Sequence, residues 1–213
     1  MGEHDADGTR HVTSTDGRRA RRERGRVAVI DAMLELLQEG KVPPAVELIA
    51  ERSGVSVASI FRYFQGIDDL QFQTFQRFRE RFEPLVRIGA DGDLTARTNA
   101  LVQSRLDLYE HAGAIMAVGR LRALEHQPLV EASAQMRGVL ADQVRTTFAH
   151  ETAGSSPARA ADLVAVIDAL TSLESWDVMR KTHARSRSQI ARAWAQGIRA
   201  FVGSWNQPEQ QGS

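Results

Sequence analysis

The chain has 213 residues, with 27 Lys+Arg balanced by 27 Asp+Glu and no cysteine. Disulfides, thiolate catalysis and cysteine redox sensing are therefore excluded, and no global positive charge announces a nucleic-acid partner. No apolar run approaches the ~20 residues of a membrane-spanning helix, so no membrane partner is expected.

The length suits one large or two modest domains with a substantial core. Residues 1–17 are rich in Gly, Asp, His and Thr, with Val12 the only large apolar residue after Met1. They read as a disordered tail without a signal-peptide core, which points to a cytoplasmic protein. Charge is uneven beyond them: Arg18, Arg19, Arg21, Arg22, Arg24 and Arg26 face one acid, Glu23. Such a run can attract phosphate or simply solvate a helix start. A first helix is predicted from about Arg19 to Glu39, with Val27, Ile30, Leu34 and Leu37 as its core stripe and Gly40 closing it. Pro43 and Pro44 suit the lead-in to the next helix.

The most informative stretch is VELIAERSGVSVASIFRYFQGIDDL, from Val46 to Leu70. Val46, Ile49 and Ala50 share one helix face. Gly54 falls where the chain must reverse, and Val55 can plug the corner. Ser56 is a good N-cap for the following helix, in which Ile60 and Phe64 point back at the first. Val57, Ala58, Ser59, Arg62 and Tyr63 are left on outward or flanking faces. A short helix with a small, polar, exposed N-terminal half fits a major groove. The same pattern also suits an ordinary αα-hairpin inside a bundle.

A long helix follows from about Asp68 to Val86, carrying Phe72, Phe75, Phe78 and Phe82, with Asp68 and Asp69 favourably placed in its first turn. GADGD at 89–93 reads as a loop. Helices are then expected at about Leu94–His111, where Leu101, Arg105 and Leu108 form a stripe, and at Ala114–His126. Further helices are expected at Leu129–His150, Ala158–Lys181 and Ser186–Trp205, with a loop at Glu151–Pro157. No period-2 alternation marks a strand. The expected architecture is all-α, with nine or ten helices.

With these elements in place, residues 20–75 resemble the tetracycline-repressor (TetR) family of bacterial regulators. The apolar helix Val27–Leu37 and the run IAERSGVSVASIFRYFQGIDDL carry the resemblance. It implies a DNA-binding domain at 18–67, a helical ligand-binding and dimerisation domain at 68–205, and a tail at 206–213. It implies a homodimeric repressor that binds a palindromic operator in double-stranded DNA and is released by a small apolar effector. The expected DNA-contacting residues are Arg22, Arg26, Ala45, Ser56, Val57, Ala58, Ser59, Phe61, Arg62 and Tyr63. Phe61 stands where the family usually has tyrosine, Ile67 where a lysine commonly meets the backbone, and Glu47 where arginine is common. These departures move weight onto the arginines at 18–26, Arg62 and Tyr63, and the arm before the first helix is expected to reach DNA.

Phe78, Phe82, Tyr109, Met116, Met136, Trp176 and Met179 are the effector-site candidates, although aromatic and methionine stripes also serve as plain core. The last two helices supply the expected dimer interface: Leu163, Ile167, Leu170, Ile190, Trp194, Gly197, Ile198 and Phe201. His111, His126, His150 and His183 show no metal-ligand spacing. No metal, cofactor or catalytic residue is expected. A regulator without a small ligand, or a small all-α enzyme, are the competing readings.

Overall fold

The computed structural model describes residues 9–41, 43–86, 91–123 and 127–205, and among these every regular element is helical. Two compact units divide the chain, residues 1–78 and 79–213, with the division falling inside a helix rather than at the expected 67/68 boundary.

The first unit opens with α1 (Thr9–Gln38), about ten residues longer than its predicted span. Part of the expected tail and arm is therefore helix. Between Thr9 and Arg26 there is no proline, and once the apolar end nucleates, propagation costs little per residue. Of the expected stripe, Leu34 and Leu37 are buried, Ile30 is half-buried and Val27 is exposed; Val29, Ala32, Met33 and Leu36 widen the buried face. Gly40 ends the helix with φ +79°, its N–H bonding Leu37 O at 3.0 Å. Next come α2 (Val46–Ser53), α3 (Val57–Tyr63) and α4 (Ile67–Val86). Gly54 adopts φ +67°, the left-handed conformation that reverses the chain cheaply only at glycine. Ile49, Ile60 and Phe64 close the small core against α1.

In the second unit, α5 (Leu94–Ala123) is continuous where two helices were expected. Gly113 does not break it, because Ala112 and Ile115 on either side are buried and the bare Gly113 position faces Leu173. The following elements are α6 (Gln127–Thr147), α7 (Ala149–Thr152), α8 (Pro157–Leu170) and α9 (Leu173–Asp177). A π-helical turn at Val178–Thr182 leads toward α10 (Arg187–Trp205). Thus α7 occupies the start of the predicted 151–157 loop. The single helix predicted over 158–181 is interrupted at Thr171 and Ser172. A distant and a local contact coincide there: the buried Tyr109 hydroxyl of α5 donates to Thr171 O at 2.8 Å, and Ser172 Oγ caps α9 by accepting from Ser175 N. Gly89, Ala90 and His126 of the predicted elements lie outside the described residues.

This unit carries charge in its interior. Arg105 of α5 has no exposed surface. It donates to Leu140 O at 2.8 Å, Asp168 Oδ1 at 3.0 Å and Tyr109 Oη at 3.3 Å, so it ties α5 to α6 and α8. Arg97 forms a two-pronged pair with Glu151 at 2.5 and 2.9 Å, and also donates to Thr147 O at the end of α6. The Arg97 hydrogen bond holds the Glu151 carboxyl below its ordinary range. Burial is the main cause that pushes the Tyr109 phenol up. A buried cation needs such partners, since an unpaired charge in apolar surroundings costs several kcal/mol.

Candidate nucleic-acid interface and ligand groove

The candidate reader is α3. Ser56 stands before it in extended conformation and accepts a hydrogen bond from Ser59 N at 3.3 Å, as an N-cap does. Ser56 Oγ donates to Ser59 Oγ at 3.1 Å, and Arg62 Nη2 donates to the same oxygen at 3.0 Å. Positions 56, 59 and 62 are three apart, so these groups form one polar line along one face. Ala45, Ser56, Ala58, Phe61 and Arg62 are exposed, with Phe61 at 54 %. Val57, Ser59 and Tyr63 are half-buried. Ile60 alone in α3 is buried, so the helix is pinned on one side and open on the other.

The two α1 arginines differ. Arg22 is exposed and donates to Arg62 O at 3.3 Å. Arg26 is a strut: it donates to Tyr63 O at 2.8 Å and Gln73 Oε1 at 2.5 Å, and its guanidinium lies 5.2 Å from the Phe64 ring centre. Two of its N–H groups are thus engaged within the unit, one at the end of α3 and one on Gln73 of α4. Arg18, Arg19, Arg21 and Arg24 remain exposed along α1. Ile67 and Glu47, both exposed, bring no cation to this surface.

Gly25 is a positioning residue that the sequence reading missed. A methyl group there would sit 2.7 Å from Tyr63 Cε2 and 3.2 Å from Tyr63 Oη. The bare glycine is what lets the Tyr63 ring lie against α1. Its only signal in the sequence is a glycine in an otherwise strong helix, one that ends nothing.

In the second unit, Tyr109 and Trp176 come together along a groove of about 770 Å³ that also includes Glu110, Asp177, Arg180, Lys181, Arg185 and Gln189. Tyr109 and Trp176 both pack on Trp194, at ring separations of 6.4 and 6.5 Å, and Arg180 lies 5.3 Å from the Trp176 ring centre. The other effector candidates do not line it. Phe82 and Met136 are buried elsewhere, Met116 and Met179 are half-buried, and Phe78 belongs to the first unit. The groove is more polar than an apolar effector requires. Beside it, Ala184 holds φ +48°, which is costly for a residue with a Cβ. Among the described residues no group of His, Asp and Glu can hold a metal ion, and no helix is long and apolar enough to cross a membrane.

The expected dimer residues are largely interior. Leu163, Ile167, Ile190, Trp194 and Ile198 are all buried within one protomer, so they cannot meet a second copy. Gly197 admits Leu170: a Cβ at 197 would lie 3.1 Å from Leu170 Cδ2, a contact inside the chain. Phe201 is half-buried and packs on Trp205 at 5.7 Å. The outer faces of these helices instead mix small residues with a few charges: Ala161, Asp162, Ala165, Val166 and Ala169 are exposed on α8, and Arg192, Gln196, Ala200 and Gly203 on α10.

No protein-family model and no curated protein matches this chain. Solved structures do. A TetR-family transcriptional regulator from Streptomyces coelicolor superposes with a TM-score of 0.69 at 17% identity, covering 88% of this chain and 91% of its own. A transcriptional regulator from Rhodococcus sp. RHA1 gives 0.62 at 18% identity, covering 86% and 96%. The multidrug binding protein EbrR, solved in complex with ethidium, gives 0.54 at 18% identity, covering 83% and 97%. The chain therefore has the fold of the TetR-family transcriptional regulators.

Proposed function

We propose that the protein is a homodimeric, sequence-specific DNA-binding regulator of the cytoplasm that acts as a repressor and reads its operator with α3. The observation that carries this is the polar line Ser56–Ser59–Arg62 on the open face of a capped helix, braced from behind by Arg26. On meeting DNA, Arg62 leaves Ser59 for a guanine edge or a phosphate, while the Val57 and Ala58 side chains reach thymine methyl groups. Arg22 and its neighbours on α1 supply the non-specific attraction that Ile67 and Glu47 do not.

The dimer forms through the small-residue faces of α8 and α10, where alanines and glycine let helices of two copies approach closely. Two copies are needed because one recognition helix reads few base pairs, and paired half-sites lie ~34 Å apart. A small effector enters the Tyr109–Trp176 groove and favours a form with mis-spaced readers, lowering operator affinity by its differential binding. The ethidium complex of EbrR supports a ligand-responsive reading, as does the aromatic lining of the groove. This reading leaves the chain without a catalytic role.

The test is selection of bound fragments from genomic DNA by the purified protein, followed by titration of the selected duplex with wild type and Arg62→Ala. The variant is expected to lose about 1–3 kcal/mol of discrimination at one position of each half-site while remaining dimeric. No selected sequence, or a selected sequence bound equally by both proteins, overturns the assignment of α3.

A further inference from the structure

A second groove, of about 780 Å³, lies between α5 and α10, and no feature of the proposed reader or effector site uses it. Its floor is apolar: Val102 and Ala195 are buried, and Ala191, one turn before Ala195 on α10, is half-buried. Its rim is cationic. Arg192 and Arg199 stand seven residues apart on α10, two turns or ~10 Å along the axis. On the α5 side, Thr95 and Asn99 add hydrogen-bonding groups one turn apart.

The charge in this groove is uncompensated. Arg187, at one end, is neutralised by Asp107 at 2.8 Å and by Glu110, and also bonds Gln103 at 2.9 Å. No carboxylate lines the groove, and among the described residues neither Arg192 nor Arg199 has an acidic partner. Elsewhere in the same unit, Arg97, Arg105 and Arg120 are paired with acids, whereas Arg180 lies on the Trp176 ring and bonds Arg185 O. Arginine presents a fork of donors that matches a carboxylate, and such charge-assisted bonds are about twice as strong as neutral ones. An apolar floor under two unpaired guanidinium groups fits one kind of small molecule.

We infer that the α5–α10 groove binds an amphipathic organic anion, its acidic head held by Arg192 and Arg199 and its hydrocarbon body laid on Val102, Ala191 and Ala195. The site is separate from the Tyr109–Trp176 groove. It does not depend on the DNA-binding assignment.

Calorimetric titration of the full-length protein with octanoate, naphthalene-2-sulfonate and neutral 1-octanol tests the inference. Both anions are expected to bind once per chain, at least about tenfold more tightly than octanol. The Arg192→Gln/Arg199→Gln double variant is expected to lose that preference, and Arg192→Lys/Arg199→Lys to recover part of it. Ala191→Leu, which fills the floor without touching charge, is expected to weaken all three ligands. Circular dichroism checks that each variant is folded, and unliganded operator binding by the double variant reads the DNA assignment separately. Absence of binding by both anions overturns the inference, as does equal affinity for octanoate and octanol or anion binding unchanged in the double variant. So does a change in sedimentation of the double variant without a change in anion binding, which would identify the groove as a face between copies.

Discussion

Replacing Gly25 by alanine separates the positioning of Tyr63 from the stability of the helix beneath it. An added Cβ begins 2.7 Å from Tyr63 Cε2, whereas carbon atoms settle near 3.5–4.0 Å, so the ring must retreat by about 1 Å. Overpacking of this kind costs about 1–3 kcal/mol. Against it stands a gain of about 1 kcal/mol, because alanine is the better helix former. Gly17, on the same helix, supplies the control, since nothing lies within 4 Å of a Cβ built there. Gly17→Ala is therefore expected to raise stability by up to about 1 kcal/mol and leave DNA binding unchanged. Gly25→Ala is expected to fall below Gly17→Ala by about 1–3 kcal/mol and to weaken specific binding, because Tyr63 and its neighbour Arg62 shift together. Urea denaturation gives the first quantity, and fluorescence anisotropy on the selected duplex gives the second. If Gly25→Ala gains stability like Gly17→Ala and binds equally well, the Tyr63 packing has no functional weight.

Glu151→Gln leaves Arg97 buried without its counter-charge and is expected to cost about 3 kcal/mol at neutral pH, measured by denaturant titration. Because the folded-state carboxyl is held below its ordinary value of 4.5, this contribution is full above that value and is lost as pH falls through the lower folded one. The gap between wild type and variant should close in acid, and a gap constant with pH refutes the ion-pair argument. Tyr109→Phe removes the donor to Thr171 O and an acceptor of Arg105, at about 1–3 kcal/mol, lowering the thermal midpoint by several degrees. An unchanged midpoint would mean that the break between α8 and α9 does not need that bond. Ala165→Glu on the outer face of α8 should convert a sedimenting dimer to monomer without unfolding it, and a persistent dimer places the interface elsewhere.

The α2–α3 region was readable because its determinants are local. Gly54 sets one dihedral, Ser56 satisfies one N–H, and Ile60 and Phe64 lie four apart, so each residue announces its own job. The continuity of α5 was not readable. Gly113 looks like a breaker until the burial of Ala112 and Ile115 is known, and burial belongs to the tertiary fold. The dimer residues failed for a related reason. An apolar stripe such as Ile190–Trp194–Ile198 says only that a face is covered, and here one protomer covers it alone. The exposed residues of α8 include the small ones, Ala161, Ala165 and Ala169, which look unremarkable in sequence. Arg26 was ambiguous because an arginine next to such a helix suits either a phosphate or a carbonyl, and only geometry shows its bond to Tyr63 O. Arg105 offered a clue, a cation inside the stripe Leu101–Leu108, but its three acceptors lie 35 to 63 residues away or one turn on.

That wholly enclosed guanidinium also makes helix alignment an all-or-nothing matter. Hydrocarbon surfaces tolerate sliding, since one leucine serves nearly as well as the next. A cation that must find a carbonyl on α6 and a carboxylate on α8 does not. Slipping α5 by a single turn would strand it among aliphatic side chains at a cost of several kcal/mol. Arg105 in this way favours one register of α5 against α6 and α8.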